Sequence, residues 1–436
     1  MAQYKTTVLI IFCIVYLFLV LSKKYRARAI WIGIAAIYCL SRGNLRLAEM
    51  FLNINWTVLG IFAGTLILAE FFIESKVPVL LADGIINRTK TVGMAMLWVC
   101  ILSGFLSCAV ENVATVLIVA PIAMALSKRV QVSPVPFLVG IAIASNLQGT
   151  ATLIGDPPSM ILASQGIYDI EDGQLACRVM NFLHFFWFQG KPGIFFAVQV
   201  GAILSFFVLY LFYRRYKQAT GSVEVERVTS WVPTILLGIM IVALAVTTTI
   251  RFWLAGVVCM AAALGGVLWS ARRDWGGTKR ILKQYDYSTT FFLAGVFIIV
   301  HALEDAGVIT DIADYISRTV GDNPMFAYIF IVWFSVFFSA FVDNVPYITA
   351  MLPVVADVSQ RMGMPNNYLL AFGLLIGSCL GGNITHIGAS ANIVAIGILR
   401  REGHHVGFWE FTRIGLPFTI AATIGGSLFI WVFWGG

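Results

Sequence analysis

Long apolar runs separated by short polar segments follow one another from Thr6 to Trp434. A helix needs about 20 residues to cross a hydrocarbon core about 30 Å thick. The pattern therefore predicts an all-α polytopic membrane protein with about ten transmembrane helices. The expected crossings are residues 6–21, 27–40, 56–73, 135–165, 192–213, 231–249, 252–270, 287–304, 367–399 and 411–434.

Two further apolar stretches, 92–127 and 323–362, are each interrupted by an acidic residue followed by asparagine. The pairs are Glu111-Asn112 and Asp343-Asn344. We interpret both stretches as re-entrant hairpins, which enter the membrane and leave it on the same side.

Composition agrees with this interpretation, since 59% of the 436 residues are hydrophobic, 12% are charged and the mean hydropathy is +0.87. This profile excludes an ordinary soluble domain, so the lipid bilayer is the main expected partner. Under the predicted topology, 21 of the 29 Lys and Arg residues fall on one side, which the positive-inside rule makes cytoplasmic. Both termini are then non-cytoplasmic, and we expect an integral protein of a bacterial inner membrane. The net charge of +7 requires no nucleic-acid partner.

The chain repeats itself. SCAVENVATVLIVAP at 107–121 aligns with SAFVDNVPYITAMLP at 339–353, and GTATLIGDPPSM from Gly149 aligns with GNITHIGASANI from Gly382. Each unit holds five crossings and one hairpin, and an odd number of crossings inverts the second unit, giving an inverted-topology repeat. The predicted units are 1–213 and 231–436, joined by a cytoplasmic linker at 214–230.

Glycine and proline interrupt two long apolar spans, near 149–158 and 382–392. Pro157 cannot continue a helix, while Gly149 and Gly155 release the backbone from helical angles. Within a membrane, such backbone is tolerated only beside protein or a water-filled cavity. The sequence therefore predicts an enclosed polar site where hairpin tips and broken helices meet. Helix N-termini would attract an anion there, and freed carbonyl oxygens would bind Na⁺.

The motifs ENVAT with GTATLIGDPPS, and DNVPY with GGNITHIGASAN, resemble those of the ArsB/NhaD permeases of the ion transporter superfamily. They are similar in particular to the branch that contains the melanosomal P protein. This resemblance implies a homodimer of elevator-type subunits. The scaffold would be 6–73 and 231–304, and the mobile transport parts would be 92–213 and 323–434. Glu111 and Asp343 stand where sodium-coupled dicarboxylate symporters carry serine, which resembles the ion-exchanging branch.

The candidate ligands all lie at the two tips and the two breaks, and each has a structural alternative. An acid can cap a helix, and a hydroxyl or amide can bond nearby backbone. Na⁺ is expected at Glu111, Asn112, Asp343 and Asn344, and His386 is a candidate proton relay. The predicted ion-binding residues are Glu111, Asn112, Thr115, Thr150, Thr152, Asp156, Asp343, Asn344, Asn383, Thr385, Ser390 and Asn392.

We therefore predict a secondary active transporter that moves a small ion by alternating access, coupled to H⁺ or Na⁺ as in Na⁺/H⁺ antiporters. Two acids with no intramembrane Lys or Arg favour cation or proton coupling. The alternatives are an efflux permease for arsenite or another oxyanion, and a gated ion channel. No reaction or cofactor is indicated, so the protein is not expected to be an enzyme. The chain has no ATP-binding motif of its own, and the sequence leaves open whether an accessory ATPase is a partner.

Overall fold

The computed structural model describes residues 2–21, 25–40, 47–165, 167–171, 174–221 and 225–435. The first half of the chain is almost entirely helical. Its helices are α1 (Ala2–Leu21), α2 (Arg26–Leu40), α3 (Leu47–Leu52), α4 (Trp56–Glu74), α5 (Val77–Arg88), α6 (Val92–Ser107), α7 (Asn112–Arg129), α8 (Val135–Gly149), α9 (Pro157–Gln165) and α10 (Ile194–Tyr213).

The second half repeats this order of long and short helices. Its helices are α11 (Val232–Ile250), α12 (Leu254–Arg273), α13 (Trp275–Gln284), α14 (Tyr287–Asp305), α15 (Val308–Val320), α16 (Pro324–Ser339), α17 (Asn344–Arg361), α18 (Tyr368–Gly381), α19 (Ser390–Arg401) and α20 (Phe408–Trp434).

Within the described ranges, seven helices are long and apolar enough to cross a membrane: α4, α7, α10, α11, α12, α14 and α20. Several shorter apolar helices, among them α6, α8, α16 and α18, accompany them. An all-helical polytopic membrane fold is therefore confirmed in outline, and the number of ten crossings stays a prediction. The expected spans 135–165 and 367–399 are each divided into two helices, α8 with α9 and α18 with α19.

Corresponding helices of the two halves make corresponding contacts. Helix α4 packs against α12 and α14 against α2, so the first helices of each half interleave with those of the other. Helix α6 packs on α8 as α16 packs on α18, and α10 packs along α20. Helices α7 and α9 meet α19 and α17, respectively, which places the tips of one half beside the broken helices of the other.

Two short β-hairpins depart from the all-α prediction. Strands β1 (Ile167–Glu171) and β2 (Gln174–Arg178) pair antiparallel, as do β3 (Trp187–Phe188) and β4 (Lys191–Pro192), all between α9 and α10. The backbone N–H of Tyr168 donates to Oδ1 of Asn367 at 2.8 Å, and the N–H of Asn367 donates to the Tyr168 carbonyl at 3.1 Å. The first hairpin is thereby held against the start of α18, in the other half of the chain.

Candidate functional site

Two four-residue turns, 108–111 and 340–343, join α6 to α7 and α16 to α17. Each turn ends in an acid that caps the helix after it. Oε2 of Glu111 accepts hydrogen bonds from the N–H groups of Val113 and Ala114 at 2.8 and 3.2 Å. Oδ1 of Asp343 accepts from the N–H of Val345 at 3.2 Å. The capping role that the sequence offered as an alternative is therefore present at both tips, and it leaves other oxygen lone pairs available for a proton or an ion.

The asparagine after each acid is held by a serine at the end of the preceding helix. The Ser107 hydroxyl donates to Oδ1 of Asn112 at 2.5 Å, and the Ser339 hydroxyl donates to Oδ1 of Asn344 at 2.6 Å. We call these two hydrogen bonds the tip clasps. Because all four side chains are buried, each clasp fixes the amide orientation at its tip.

A second pair of bonds joins each tip to the broken helix of its own half. The Thr152 hydroxyl donates to the carbonyl of Cys108, and the Thr385 hydroxyl donates to the carbonyl of Ala340. Both threonines are buried, and both carbonyls belong to the turn at the tip. These hydroxyls therefore satisfy exposed backbone, which is the structural alternative to an ion-ligand role.

Gly149 allows the first tip to approach its broken helix closely. A Cβ atom at this position would lie 2.2 Å from Oδ1 of Asn112, a distance that no side chain tolerates. Its backbone φ is not among the positive ones of the described chain. Gly149 is still the last residue of α8, so the expectation that it releases the backbone from helical angles was wrong, and the glycine is needed for close contact.

Three buried asparagines connect the two broken helices. Nδ2 of Asn146, on α8, donates to Oδ1 of Asn383 at 2.9 Å and to Oδ1 of Asn392 at 3.0 Å. Nδ2 of Asn392 in turn donates to the carbonyls of Gly382 and Thr385, both at 2.9 Å. These amides supply hydrogen-bond donors to backbone carbonyls in the second break. They also link the second break to α8 in the first half of the chain.

A chamber of about 40 Å³ lies between the tips and the breaks. The first residues of α7, α9, α17 and α19 border it, so four helix N-termini converge on one space. Each N-terminus carries about half a positive charge. The polar side chains on the wall are Arg26, Glu111, Asn112, Asn146, Asp156, Thr289, Asp343, Asn344 and Ser390.

Asp156 faces this chamber just before α9 begins at Pro157. Its side chain is 7% exposed, and within the described part of the chain its Oδ2 atom has no hydrogen-bond partner. Asn112 and Cys379 interact with the carboxyl group, but a buried oxygen without a donor of its own is still costly. The atom is therefore a place where a proton or a cation would be stabilised.

The chamber adjoins a vestibule of about 540 Å³. Arg26, Glu111, Thr289 and Ser390 border both spaces. Glu70 and Asp286 add acidic side chains to the vestibule wall. The small chamber at the tips therefore lies beside a wider vestibule that shares part of its wall.

Arg26 corrects one prediction. The sequence places it in a loop and predicts no Lys or Arg within the membrane, whereas it begins α2 and reaches the chamber. Its Nη1 lies 3.3 Å from Oδ2 of Asp343 and donates to the Ser390 hydroxyl at 3.2 Å. Its Nη2 donates to Oγ1 of Thr289 at 2.6 Å. The site therefore holds a guanidinium beside its acids.

The predicted ion-binding residues separate into two groups. Six border the chamber: Glu111, Asn112, Asp156, Asp343, Asn344 and Ser390. The other six are buried nearby and are not part of the described wall of the chamber or the vestibule: Thr115, Thr150, Thr152, Asn383, Thr385 and Asn392.

His386 is likewise not part of that wall, and its ring meets the ring of Phe408 edge-on at 5.9 Å. Its role as a proton relay stays a prediction. Arg26, Thr289 and Asn146 border the chamber without having been singled out from the sequence. Asn146 could have been found from the sequence, because it is a polar residue inside an otherwise apolar run.

Comparison with known proteins identifies the family. A family model described as "CitMHS: Citrate transporter" matches residues 7–377. An uncharacterized transporter of Mycobacterium tuberculosis is 28% identical over 383 residues, covering 87% of this chain and 86% of its own. The human P protein is 24% identical over 496 residues, covering 96% of this chain and 58% of its own. The finer resemblance to ArsB/NhaD permeases stays a prediction.

One solved structure has a similar fold. The crystal structure of the Alcanivorax borkumensis YdaH transporter, described as having an unusual topology, superposes with a TM-score of 0.55 at 13% identity. The match covers 86% of this chain and 84% of that one. At this identity the likeness concerns the fold alone.

Proposed function

Because the chain belongs to the CitMHS citrate transporter family, we propose that it is a secondary active transporter that couples a small ion to H⁺ or Na⁺. Transport would proceed by alternating access, with Glu111, Asp156 and Asp343 as the carboxylates that exchange a proton for a cation. The chamber between the tips is the ion site in this proposal.

The observation that carries the proposal is the unpartnered Oδ2 atom of Asp156 on the chamber wall. Three carboxylates and one guanidinium give the wall a formal charge of about −2 when all are ionised, and the partial charges of four helix N-termini offset it in sum. The deficit is local, because Oδ2 of Asp156 has no donor among the described residues, and a proton or a small cation would supply the missing partner. A chamber of about 40 Å³ suits a dehydrated ion or a few waters and is too small for an organic acid.

The same geometry supports alternating access under the predicted membrane placement. In the described structure a vestibule adjoins the chamber. Because the two halves make matching contacts, they could exchange conformations, and the chamber would then open on the opposite side of the membrane. We propose an inverted repeat working as an elevator in a homodimer. Both termini would lie on the non-cytoplasmic side.

Flux measurements in proteoliposomes test the proposal. We expect an imposed Na⁺, Li⁺ or K⁺ gradient to drive a luminal pH change, and the substitutions Glu111→Gln and Asp343→Asn to reduce it at least about tenfold. Glu304→Gln, an exposed acid at the end of α14, is the matched control. Wild-type pH changes in Glu111→Gln and Asp343→Asn would overturn the proposed roles.

Carboxylate transport is a second candidate, favoured by Arg26. A guanidinium flanked by the Ser390 and Thr289 hydroxyls can bind a carboxylate group, and the vestibule of about 540 Å³ is large enough for a tricarboxylic acid. The family description points to citrate. Uptake of isotopically labelled citrate into the same proteoliposomes separates the candidates, because a cation–proton exchanger would not accumulate it.

A further inference from the structure

Arg26 bridges two groups of helices that the proposed mechanism moves against each other. On one side its Nη2 donates to Thr289 of α14, and its guanidinium lies 5.0 Å above the ring of Phe292 in the same helix. On the other side its Nη1 contacts Asp343 at the second tip and Ser390 at the start of α19. Helices α2 and α14 pack together, which fixes the first end of this bridge.

The Arg26 position is unfavourable for helix α2 itself. Arg26 is the first residue of α2, where the helix dipole repels a positive charge. Its side chain is 14% exposed and that of Asp343 is 15% exposed, so both charges have given up most of their water. The stabilisation therefore has to come from the partners of the guanidinium and not from the helix that carries the arginine. These partners are Asp343, Ser390, Thr289 and the Phe292 ring.

A donor chain holds the guanidinium in place from behind. The Thr289 hydroxyl accepts from Arg26 and donates to Oδ2 of Asp286. Asp286 also caps α14 by accepting from the N–H of Thr289 at 2.9 Å. Thr289 and Asp286, in the predicted scaffold, thus set the orientation of Arg26, while its positive charge pairs with Asp343 at the second tip.

We propose that Arg26 is a tethered counter-ion, which occupies the cation position at Asp343 while the chamber is empty and is displaced when the coupling ion or proton binds. The proposal rests on the proposed function and adds a coupling residue to it. The pair holds the empty protein with its vestibule open. A bound proton or cation neutralises Asp343, releases the bridge and allows the tip to move.

The geometry assigns different tasks to the two tips. The ion pair is made by Asp343, whereas the Glu111 carboxylate is bonded to the N–H groups of its own helix. Asp156, whose Oδ2 has no donor among the described residues, and Glu111 are then the acids that receive the incoming ion. Asp343 is the acid whose neutralisation releases the bridge. We therefore expect energetic coupling between Arg26 and Asp343, which lie 317 positions apart in the chain.

Thiol labelling of purified protein tests the tether without any transported ion. The substitution Val394→Cys places a thiol on the vestibule wall, and Lys217→Cys places one in the exposed loop after α10 as a control for folding. Labelling of the parent protein is subtracted, because native thiols Cys13 and Cys39 are exposed. Rates with a water-soluble maleimide are compared in choline chloride.

We expect Arg26→Gln to slow labelling of the vestibule thiol at least about fivefold, since the vestibule-open population falls. Asp343→Asn should have the same effect, and the double variant should be no slower than either single variant. Arg26→Lys, which keeps the charge, should retain at least about half of the wild-type rate. The rate at the Lys217→Cys thiol should not change.

Three results would overturn the tether: an unchanged rate in Arg26→Gln, additive effects of the Arg26 and Asp343 substitutions, or Arg26→Lys as slow as Arg26→Gln. Adding NaCl, LiCl or KCl, or lowering the pH, should slow the wild type to the Arg26→Gln rate. If none of them acts while the non-additive pattern holds, the tether stands and the proposed coupling to these ions fails.

Discussion

The amide nitrogen of Asn146 lies 2.9 Å from the side-chain oxygen of Asn383, so a residue of the first broken helix donates directly to the second break. Both side chains are at least 98% buried. Asn146 also donates to Asn392, and removing it leaves two buried acceptors without their donor.

Replacing Asn146 should therefore lower stability more than an ordinary polar substitution. We expect Asn146→Leu to cost about 2 to 6 kcal/mol, because each of the two unsatisfied buried acceptors costs about 1 to 3 kcal/mol. The thermal midpoint in detergent measures this loss. Ser427→Ala removes an exposed bond within α20 and should shift the midpoint little. Equal shifts in the two variants would contradict the bridging role of Asn146.

Two substitutions at Glu111 separate its capping role from its charge. Glutamine keeps a side-chain oxygen for the N–H groups of Val113 and Ala114, whereas alanine removes the cap at a cost of about 1 kcal/mol. We expect Glu111→Gln to be nearly as stable as the wild type, and both variants to lose coupled flux. A stable and fully active Glu111→Gln would show that the cap is the whole function of Glu111.

Gly149→Ala should displace the first tip. Its new Cβ would lie 2.2 Å from Oδ1 of Asn112, so the tip clasp or helix α8 must shift. Overpacking of this kind costs about 1 to 3 kcal/mol. Gly397→Ala in α19 is the matched control, because nothing lies within 4 Å of its Cβ position. Measured thermal midpoints should fall for Gly149→Ala and stay level or rise for Gly397→Ala.

The ion pair between Lys128 and Glu402 gives a pH prediction outside the membrane-spanning segments. Their Nζ and Oε2 atoms are 2.5 Å apart, and the hydrogen bond from Lys128 lowers the pKa of Glu402. A lowered carboxyl pKa contributes stability above the unfolded-state pKa, and this contribution is lost as pH falls through the folded-state value. The Glu402→Gln variant should therefore have a slightly lower thermal midpoint than the wild type at neutral pH. The two midpoints should be equal in strong acid. Salt should remove the neutral-pH difference, because the pair is exposed.

Much of the site could be predicted because the chain contains two copies of each motif. A single acid followed by asparagine in an apolar run has many explanations, whereas Glu111 and Asp343 at a constant offset do not. The breaks were predictable for the same reason, since Pro157 and the glycines interrupt spans that otherwise read as helices. Which of these residues face the chamber could not be predicted, because hydroxyls such as Thr152 bond to backbone exposed by the turn.

Arg26 shows what the sequence could not provide. It lies beside a cluster of basic residues, where charge counting predicts a membrane surface, and its partner is more than 300 positions away. Only the packing of α2 against α14 brings it to the second tip. The short β-hairpins escaped prediction for a simpler reason, since strands of two to five residues are too brief for a recognisable alternation.

The tip clasps also determine how stiff the two turns are. Each turn is held by its clasp to the helix before it and by a threonine hydroxyl to the broken helix beside it, so a tip cannot bend without losing a buried bond. A hinge within the four residues of either turn would break these bonds, so the proposed motion is expected to have its hinges elsewhere. In the proposed transport cycle, tip and broken helix would move together as one rigid unit, and the strain would fall on the connections outside that unit.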